Sequence, residues 1–182
     1  LVSAISRGDG IVGEDILRNV RMMKGKPNII AGIHPKMPYG LSFHVRGEII
    51  CLKSDFEKHF KGESNPRNTA SGTAKRQSNA NACRFLSIRA FSLHSDELPE
   101  DRTMADDLKL LEKLGFDTVA HEVIPVGPVL LSLGKVQSLY DEYVNFKRDM
   151  LDYEIDGLVA TGERLETSVS HIESLTGQFR VS

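Results

Sequence analysis

Phe43-His44-Val45-Arg46-Gly47-Glu48-Ile49-Ile50 alternates as a β-strand does. Phe43, Val45 and Ile49 fall on one face and His44, Arg46, Glu48 and Ile50 on the other, because successive strand side chains point to opposite sides. Gly47 interrupts the run. A glycine inside a strand weakens it and marks a close approach by a ligand or by another chain segment. Arg46 and Glu48 flank it on an element expected to be buried and central. Charges in such a place need partners, or they bind something. The residues leave both open: a structural Arg-Glu pair at a strand end, or a binding site.

Upstream of this strand, Leu1–Ser6 reads as a short apolar strand. Arg7-Gly8-Asp9-Gly10 is a tight turn whose glycines are free to take positive φ. Gly13-Glu14-Asp15 starts a helix with its acids in the first turn, where the macrodipole favours them. Ile16, Val20 and Met23 repeat at helical spacing, giving a buried stripe over about 12 residues. Pro27 ends it, and residues 25–40, rich in glycine and proline, form a connecting loop.

Downstream, Ser54 is a good N-cap for a helix through Phe60, with Phe56 and Phe60 as i, i+4 partners. Residues 61–83 are small and polar, a composition that suits a linker. Yet Asn65 followed by Pro66 suits the N-cap and first position of a helix. Arg67, Ser71 and Lys75 then share one face, and small residues on the other side let that helix pack closely. Phe85–Leu93 alternates as a strand, Met104–Leu114 is an amphipathic helix closed by Gly115, and Thr118–Ile124 is a strand stopped by Pro125. Gly134–Leu151 is the longest helix, with Val136, Leu139, Tyr140, Tyr143, Val144 and Met150 available for burial. Tyr153–Ala160 is a strand, and residues 161–182 show little periodicity. Strands and helices mixed without strict βαβ alternation give an α+β fold.

The chain has 182 residues, enough for one domain or a large piece of one, and 40% hydrophobic residues supply a core. It has no apolar run long enough to span a membrane and no visible signal peptide. Its start on Leu1, already strand-like, suggests a piece of something longer. Cys51 and Cys83 form no CxxC pair and the histidines no zinc-type pair, so a disulfide framework or zinc site is not expected and a reducing cytoplasmic setting is. Residues 1–92 carry 15 Lys and Arg against 7 Asp and Glu; residues 93–182 carry 8 against 18. The first half suits a polyanion, nucleic acid or nucleotide, although opposite-sign halves also attract each other.

Four pieces stand in order: Arg7-Gly8-Asp9-Gly10 with Gly13-Glu14-Asp15, Val45-Arg46-Gly47-Glu48, Asn65-Pro66-Arg67-Asn68 with Gly72, and Ile155-Asp156-Gly157-Leu158-Val159. Together they resemble the nucleotidyltransferase (adenylation) domain of bacterial-type NAD-dependent DNA ligases. The resemblance implies an ATP-grasp-like α+β fold, with mixed or antiparallel sheets and flanking helices. Residues 1–160 would be a partial adenylation domain lacking the upstream nucleophile motif, and 161–182 its divergent end or a tail. The implied chemistry is three-step nick sealing. A lysine attacks the α-phosphate of NAD, AMP passes to the 5′-phosphate, and the 3′-hydroxyl displaces it. NAD and nicked double-stranded DNA are the implied partners, with Mg2+ or Mn2+, no membrane, and a bacterial or phage setting. Positioning and charge neutralisation dominate such phosphoryl transfer.

By the same resemblance, Arg7 contacts the nucleotide and Glu48 takes the adenosine portion through a ribose hydroxyl, a fitting acceptor role for a carboxylate. Arg148 and the Thr161 position belong to the same nucleotide site. Arg67, Lys75 and Arg76 would meet DNA phosphates, Arg67 also supporting catalysis. Asp156 would support catalysis as a partner of the metal or of its water. Each has a plain alternative: Gly8, Gly10 and Gly157 serving only their turns, and Arg67 and Arg148 as solvated surface charges.

The departures are equally informative. The sequence contains no Lys-x-Asp-Gly, so the nucleophilic lysine is expected upstream of Leu1. Thr161 stands where the family has a lysine, and threonine cannot neutralise phosphate. Lys75 stands where an arginine is usual, a point charge in place of a fork. The last family lysine is missing, with Phe179-Arg180 a weak stand-in. The chain is therefore either part of a truncated or split ligase, or a degenerate nucleotide- or nucleic-acid-binding accessory module. RNA ligation or capping is disfavoured, because Asn-Pro-Arg-Asn looks peculiar to the NAD-dependent branch. Incubating the 182-residue chain with adenylate-labelled NAD is expected to leave no covalent label; a lysine-linked AMP would place the nucleophile within these residues.

Overall fold

Leu86–His94, not the Phe43–Ile50 stretch, is the strand with partners on both edges. The computed structural model describes residues 1–27, 42–78, 80–99, 101–125, 129–161 and 179–181, the side chains of 129–133 and 179–181 excepted. The chain forms two compact units, Leu1–Ala120 and His121–Ser182. The first contains α1 (Leu17–Val20), β1 (His44–Cys51), α2 (Lys53–His59), α3 (Pro66–Ala74), a 3-10 segment (Ala80–Phe85), β2 (Leu86–His94) and α4 (Met104–Leu114). The second contains α5 (Val129–Glu142), a π-helical turn (Tyr143–Lys147), α6 (Arg148–Met150), β3 (Leu158–Ala160) and β4 (Phe179–Val181).

β1 and β2 pair antiparallel, and the pairing carries a bulge. Register runs His44↔His94, Val45↔Leu93 and Arg46↔Ser92, then jumps to Gly47↔Ala90 and Glu48↔Arg89, leaving Phe91 as the extra residue. Without that jump, one half of β2 would turn its apolar side chains outward, since a one-residue slip exchanges the faces of a strand. With it, Val45, Gly47, Ile49 and Cys51 lie opposite Leu93, Ala90, Ile88 and Leu86, the last four all buried or half-buried. The other face carries His44, Arg46 and Glu48 against His94, Ser92 and Arg89. The face assignment read from the sequence therefore holds, but β1 is not a buried central strand: Arg46, Gly47 and Glu48 are exposed. The opposite edge of β2 takes Lys24, whose N–H donates to Leu86 O at 2.9 Å. Asp117 O accepts from Ala90 N at 2.8 Å, and Val119 N donates to Ala90 O at 3.0 Å.

Two apolar clusters cover the sheet. One joins Cys51 and Leu86 to Ile16, Val20 and Met23 around α1 and to Ala70 and Ala74 of α3. The other joins Ala90 and Leu93 to Leu108 and Leu111 of α4. The expected cap of α3 forms, with Asn65 Oδ1 accepting from Asn68 N at 2.8 Å and Pro66 at the first position. Its buried residues, Thr69, Ala70, Thr73 and Ala74, are small, as close packing on the sheet requires. α4 matches its expected bounds, opened by a Thr103–Asp106 capping box and closed by Gly115 at φ 91°.

Other expected elements are shorter. Leu1–Ser6 is no strand; Ile5 makes an isolated bridge to Asp15. Ser6 N donates to Glu14 O and Ile16 N to Ala4 O, both at 2.9 Å. Backbone groups committed to that ladder cannot also wind into helix, so α1 begins only at Leu17 and both acids precede it. Ile16, Val20 and Met23 are nonetheless buried. α2 begins at Lys53, with Leu52 rather than Ser54 at the N-cap. Of Thr118–Ile124, only Thr118 makes a bridge. Of Tyr153–Ala160, only β3 is strand, pairing with β4. Helical structure runs on from α5 through α6, but Val144 and Met150 are exposed. Val136, Leu139, Tyr140 and Tyr143 are half-buried. The loop expected at 25–40 and the aperiodic end at 161–182 lie mostly outside the described residues.

A Cβ added at Gly47 would stand 2.9 Å from Arg89 O and 3.0 Å from Ile88 Cγ2. Gly47→Ala is expected to destabilise the chain by about 1–3 kcal/mol, as overpacking against a sheet backbone does. Urea unfolding checks it; an unchanged midpoint would mean that β2 yields at no cost.

Candidate functional site

Glu48 projects from the exposed face of the β1–β2 sheet, with Arg46 and His44 beside it on β1. Its register partner Arg89 is ion-paired with Asp117 at 2.6 Å. Among the described residues no ion pair joins Arg46 to Glu48, so the two are not the structural pair that the sequence left open. At the His44 end of the pair, His44, Val45, Arg46, Ser92, Leu93 and His94 line an open cleft of about 500 Å³. The rings of His44 and His94 stand 6.5 Å apart. This face therefore offers an exposed carboxylate within a row of donors.

Arg7 opens a turn held by its own backbone, since Gly10 N donates to Arg7 O at 3.0 Å. Asp9 Oδ1 accepts from Ile11 N at 2.9 Å and Val12 N at 2.7 Å. Those bonds, Val12 first, hold the Asp9 carboxyl below its ordinary range. Gly8 sits at φ 56°, where an added Cβ would run into Val12 O. Only glycine fits, so the turn geometry that presents Arg7 is fixed by steric exclusion.

α3 presents Arg67 near its start and Lys75 and Arg76 at its end. Arg67 and Lys75 are exposed and Arg76 half-buried, consistent with the expected i, i+4, i+8 face of Arg67, Ser71 and Lys75. Lys75 Nζ lies 3.2 Å from Glu14 and Arg76 Nη2 3.0 Å from Glu63. Solvent-exposed pairs of this kind are worth about 0–1 kcal/mol, so another anion can displace either carboxylate. The carbonyl end of a helix also favours cations.

In the second unit, Arg148 opens α6, and Asp156, Gly157 and Thr161 flank β3; all four are exposed. Beside Arg148, Lys147 lies 2.9 Å from Glu122 and 3.2 Å from Glu142, which hold its ammonium above its ordinary range. Thus Arg7, Glu48, Arg67, Lys75 and Arg76 belong to one compact unit, and Arg148, Asp156 and Thr161 to the other. The backbone of Phe179-Arg180 pairs with Ala160 and Val159. Cys51 and Cys83 are buried, and neither is in a disulfide among the described residues. Among the described residues no three His, Cys, Asp or Glu side chains are placed to hold a metal ion, and no helix is long and apolar enough to cross a membrane.

One residue escaped the sequence reading. Asn19 is buried and donates to the carbonyls of Ala74 and Arg76, tying α1 to the end of α3. Its signal was an amide three residues after Ile16, on an otherwise apolar stripe.

A family model described as the NAD-dependent DNA ligase adenylation domain matches residues 1–169. The chain is similar to proteins named DNA ligase. That of Sorangium cellulosum is 40% identical over 181 residues, covering 97% of this chain and 23% of the relative. That of Wolbachia pipientis wMel is 36% identical over 161 residues, covering 87% and 22%. That of Acinetobacter baumannii AYE is 34% identical over 176 residues, covering 91% and 25%. The chain spans about a quarter of the length of these relatives.

The Arg7 turn is expected to be acid-sensitive. A carboxyl NMR titration should place Asp9 below the ~3.9 of an unstructured aspartate. Its stabilisation is then complete above the unstructured value and lost as pH falls through the folded one. A midpoint at or above the unstructured value would break the assignment.

Proposed function

The chain belongs to the NAD-dependent DNA ligase adenylation domain family, and on that footing we propose that it carries part of the nucleotide- and DNA-binding surface of a nick-sealing ligase. The whole protein would consume NAD, pass AMP to a 5′-phosphate in duplex DNA, and join it to the adjacent 3′-hydroxyl. Residues 1–160 would be its partial adenylation domain, of the nucleotidyltransferase type, and 161–182 the divergent end of that domain or a tail. The observation that carries the reading is the family match across nearly the whole chain. It is supported by Glu48 standing exposed on a polar sheet face.

In this reading Glu48 accepts from a ribose hydroxyl of NAD, a charge-assisted bond on a rigid strand. Arg7 and Arg148 neutralise the nucleotide's phosphates, and Thr161 contributes at most a hydroxyl. Arg67, Lys75 and Arg76 take phosphates of nicked DNA. A Mg2+ or Mn2+ ion would neutralise charge on the transferring phosphoryl group. Asp156, an exposed carboxylate, suits an ion held mostly by water and phosphate, as Mg2+ usually is, better than one in a protein cage. Two buried cysteines kept as thiols fit a cytoplasmic setting. A non-catalytic nucleotide- or nucleic-acid-binding module is the second reading, favoured by the uncharged Thr161.

In the longer ligase that contains these residues, Glu48→Ala is expected to slow self-adenylation about ten- to hundredfold, the loss of one charge-assisted hydrogen bond. Affinity for nicked duplex should hardly change. Comparable loss of adenylation and DNA binding would make Glu48 a structural residue. Sealing with ATP as readily as with NAD would overturn the cofactor assignment.

A further inference from the structure

Asn19 is only 5% exposed, on the face of α1 that also buries Ile16 and Val20. A leucine of similar size would complete that stripe, and a buried amide is costly unless its hydrogen bonds are made. Here both amide protons are used: Nδ2 donates to Ala74 O at 2.8 Å and to Arg76 O at 2.9 Å. These carbonyls stand at and just beyond the end of α3, where a helix leaves its acceptors without internal partners. One residue further on, Arg18 Nη1 donates to Gln77 O at 3.4 Å. From the other side, Arg76 N donates to Thr73 O at 3.2 Å, and the buried Cys83 thiol donates to the same oxygen at 3.3 Å. The backbone of 74–77 is thus held by α1 at three carbonyls.

The stretch so held carries Lys75 and Arg76, whose ion-pair partners among the described residues are the exposed carboxylates of Glu14 and Glu63. Lys75 caps the helix at φ −99°, ψ 0°, in the turn closed by the Arg76 N to Thr73 O bond. We propose that Asn19 is a positioning residue: by fixing the Ala74 and Arg76 carbonyls it sets the direction in which Lys75 and Arg76 leave α3, so that both charges face one nucleic-acid backbone. The inference rests on the reading of those two cations as DNA phosphate contacts. Asn19 itself, being buried, touches no ligand.

The test is fluorescence anisotropy of the 182-residue chain on a nicked duplex, between 50 and 200 mM salt. Lys75→Ala/Arg76→Ala should flatten the dependence of log K on log salt by about 2, one for each phosphate no longer neutralised. Asn19→Ala should flatten it by about 1 to 2 and weaken low-salt binding about fivefold, with a melting temperature still above that of the assay. In the Lys75→Ala/Arg76→Ala background, Asn19→Ala should change binding less than about twofold, since residues acting through one another are not additive. Asn19→Ser, which keeps one donor, should fall between wild type and Asn19→Ala, and carries the same comparison if Asn19→Ala melts too low. If Lys75→Ala/Arg76→Ala binds like wild type, the phosphate reading fails. If that variant loses its slope while Asn19→Ala keeps it, or if the effects simply add, the positioning role alone is overturned.

Discussion

A single extra residue, Phe91, allows the first unit to have both a core and a polar face. β1 and β2 must bury Val45, Ile49 and Cys51 on one side along their whole length. β2 alternates as Leu86, Ile88 and Ala90, then reaches Leu93 out of phase by one. No uninterrupted ladder satisfies both halves, because the side-chain period of a strand is two. The bulge absorbs the mismatch, and with it Glu48 comes to stand opposite Arg89 instead of Ala90. The chemistry proposed for Glu48 therefore depends on a packing constraint set by residues it never touches. Gly47 belongs to the same device, since a side chain there would press on the β2 backbone at the point where the register changes.

The second constraint is backbone closure near the start. Gly8 and Gly13 let the chain return on itself within a few residues, and each would drive a Cβ into a carbonyl oxygen. That return places Glu14 and α1 against the end of α3, where Glu14 meets Lys75 and Asn19 meets the Ala74 and Arg76 carbonyls. The segment that follows the Arg7 turn and the segment after Asn-Pro-Arg-Asn, far apart in sequence, are linked through Glu14 and through Asn19 of α1. The link is made of directional hydrogen bonds over a small apolar cluster, so it fixes orientation as well as distance.

Elements whose signal is local were legible in the sequence. The Asn65-Pro66 cap and Thr103 through Gly115 combine cap chemistry with a periodic stripe, and both helices stand where they were read. The faces of β1 followed from alternation alone. Its place at one side of β2 did not, because strand order is decided by long-range partners such as Lys24 and Asp117 that carry no strand pattern. The early helix is shorter than its pattern suggests because Ile16, Val20 and Met23 satisfy a helical spacing that a four-residue helix and a turn also satisfy. The burial read for Val144 and Met150 failed, because periodic apolar spacing shows which side of a helix can be covered and not whether a partner covers it. Of the candidate site, the family resemblance named the motif residues on which the proposed function is built. Asn19 was not, because a lone amide becomes informative only once the two carbonyls it serves are in view.

The strengths of the ion pairs separate scaffold from site. Arg102 and Asp107 are each 18% exposed at the side chain and 2.7 Å apart, and Arg102 also donates to Pro99 O. This half-buried pair, together with the Pro99 bond, ties the entry to α4 to its first turn. Lys75 with Glu14 and Arg76 with Glu63 are exposed by a third or more on both sides. Their net worth is small and salt-sensitive. Such pairs keep long cationic side chains near one direction without desolvating them, and their carboxylates are readily exchanged for another anion. The basic excess of the first half is therefore available to a polyanion, while the backbone that carries Lys75 and Arg76 is held by the neutral Asn19 amide, whose hydrogen bonds are buried or part-buried.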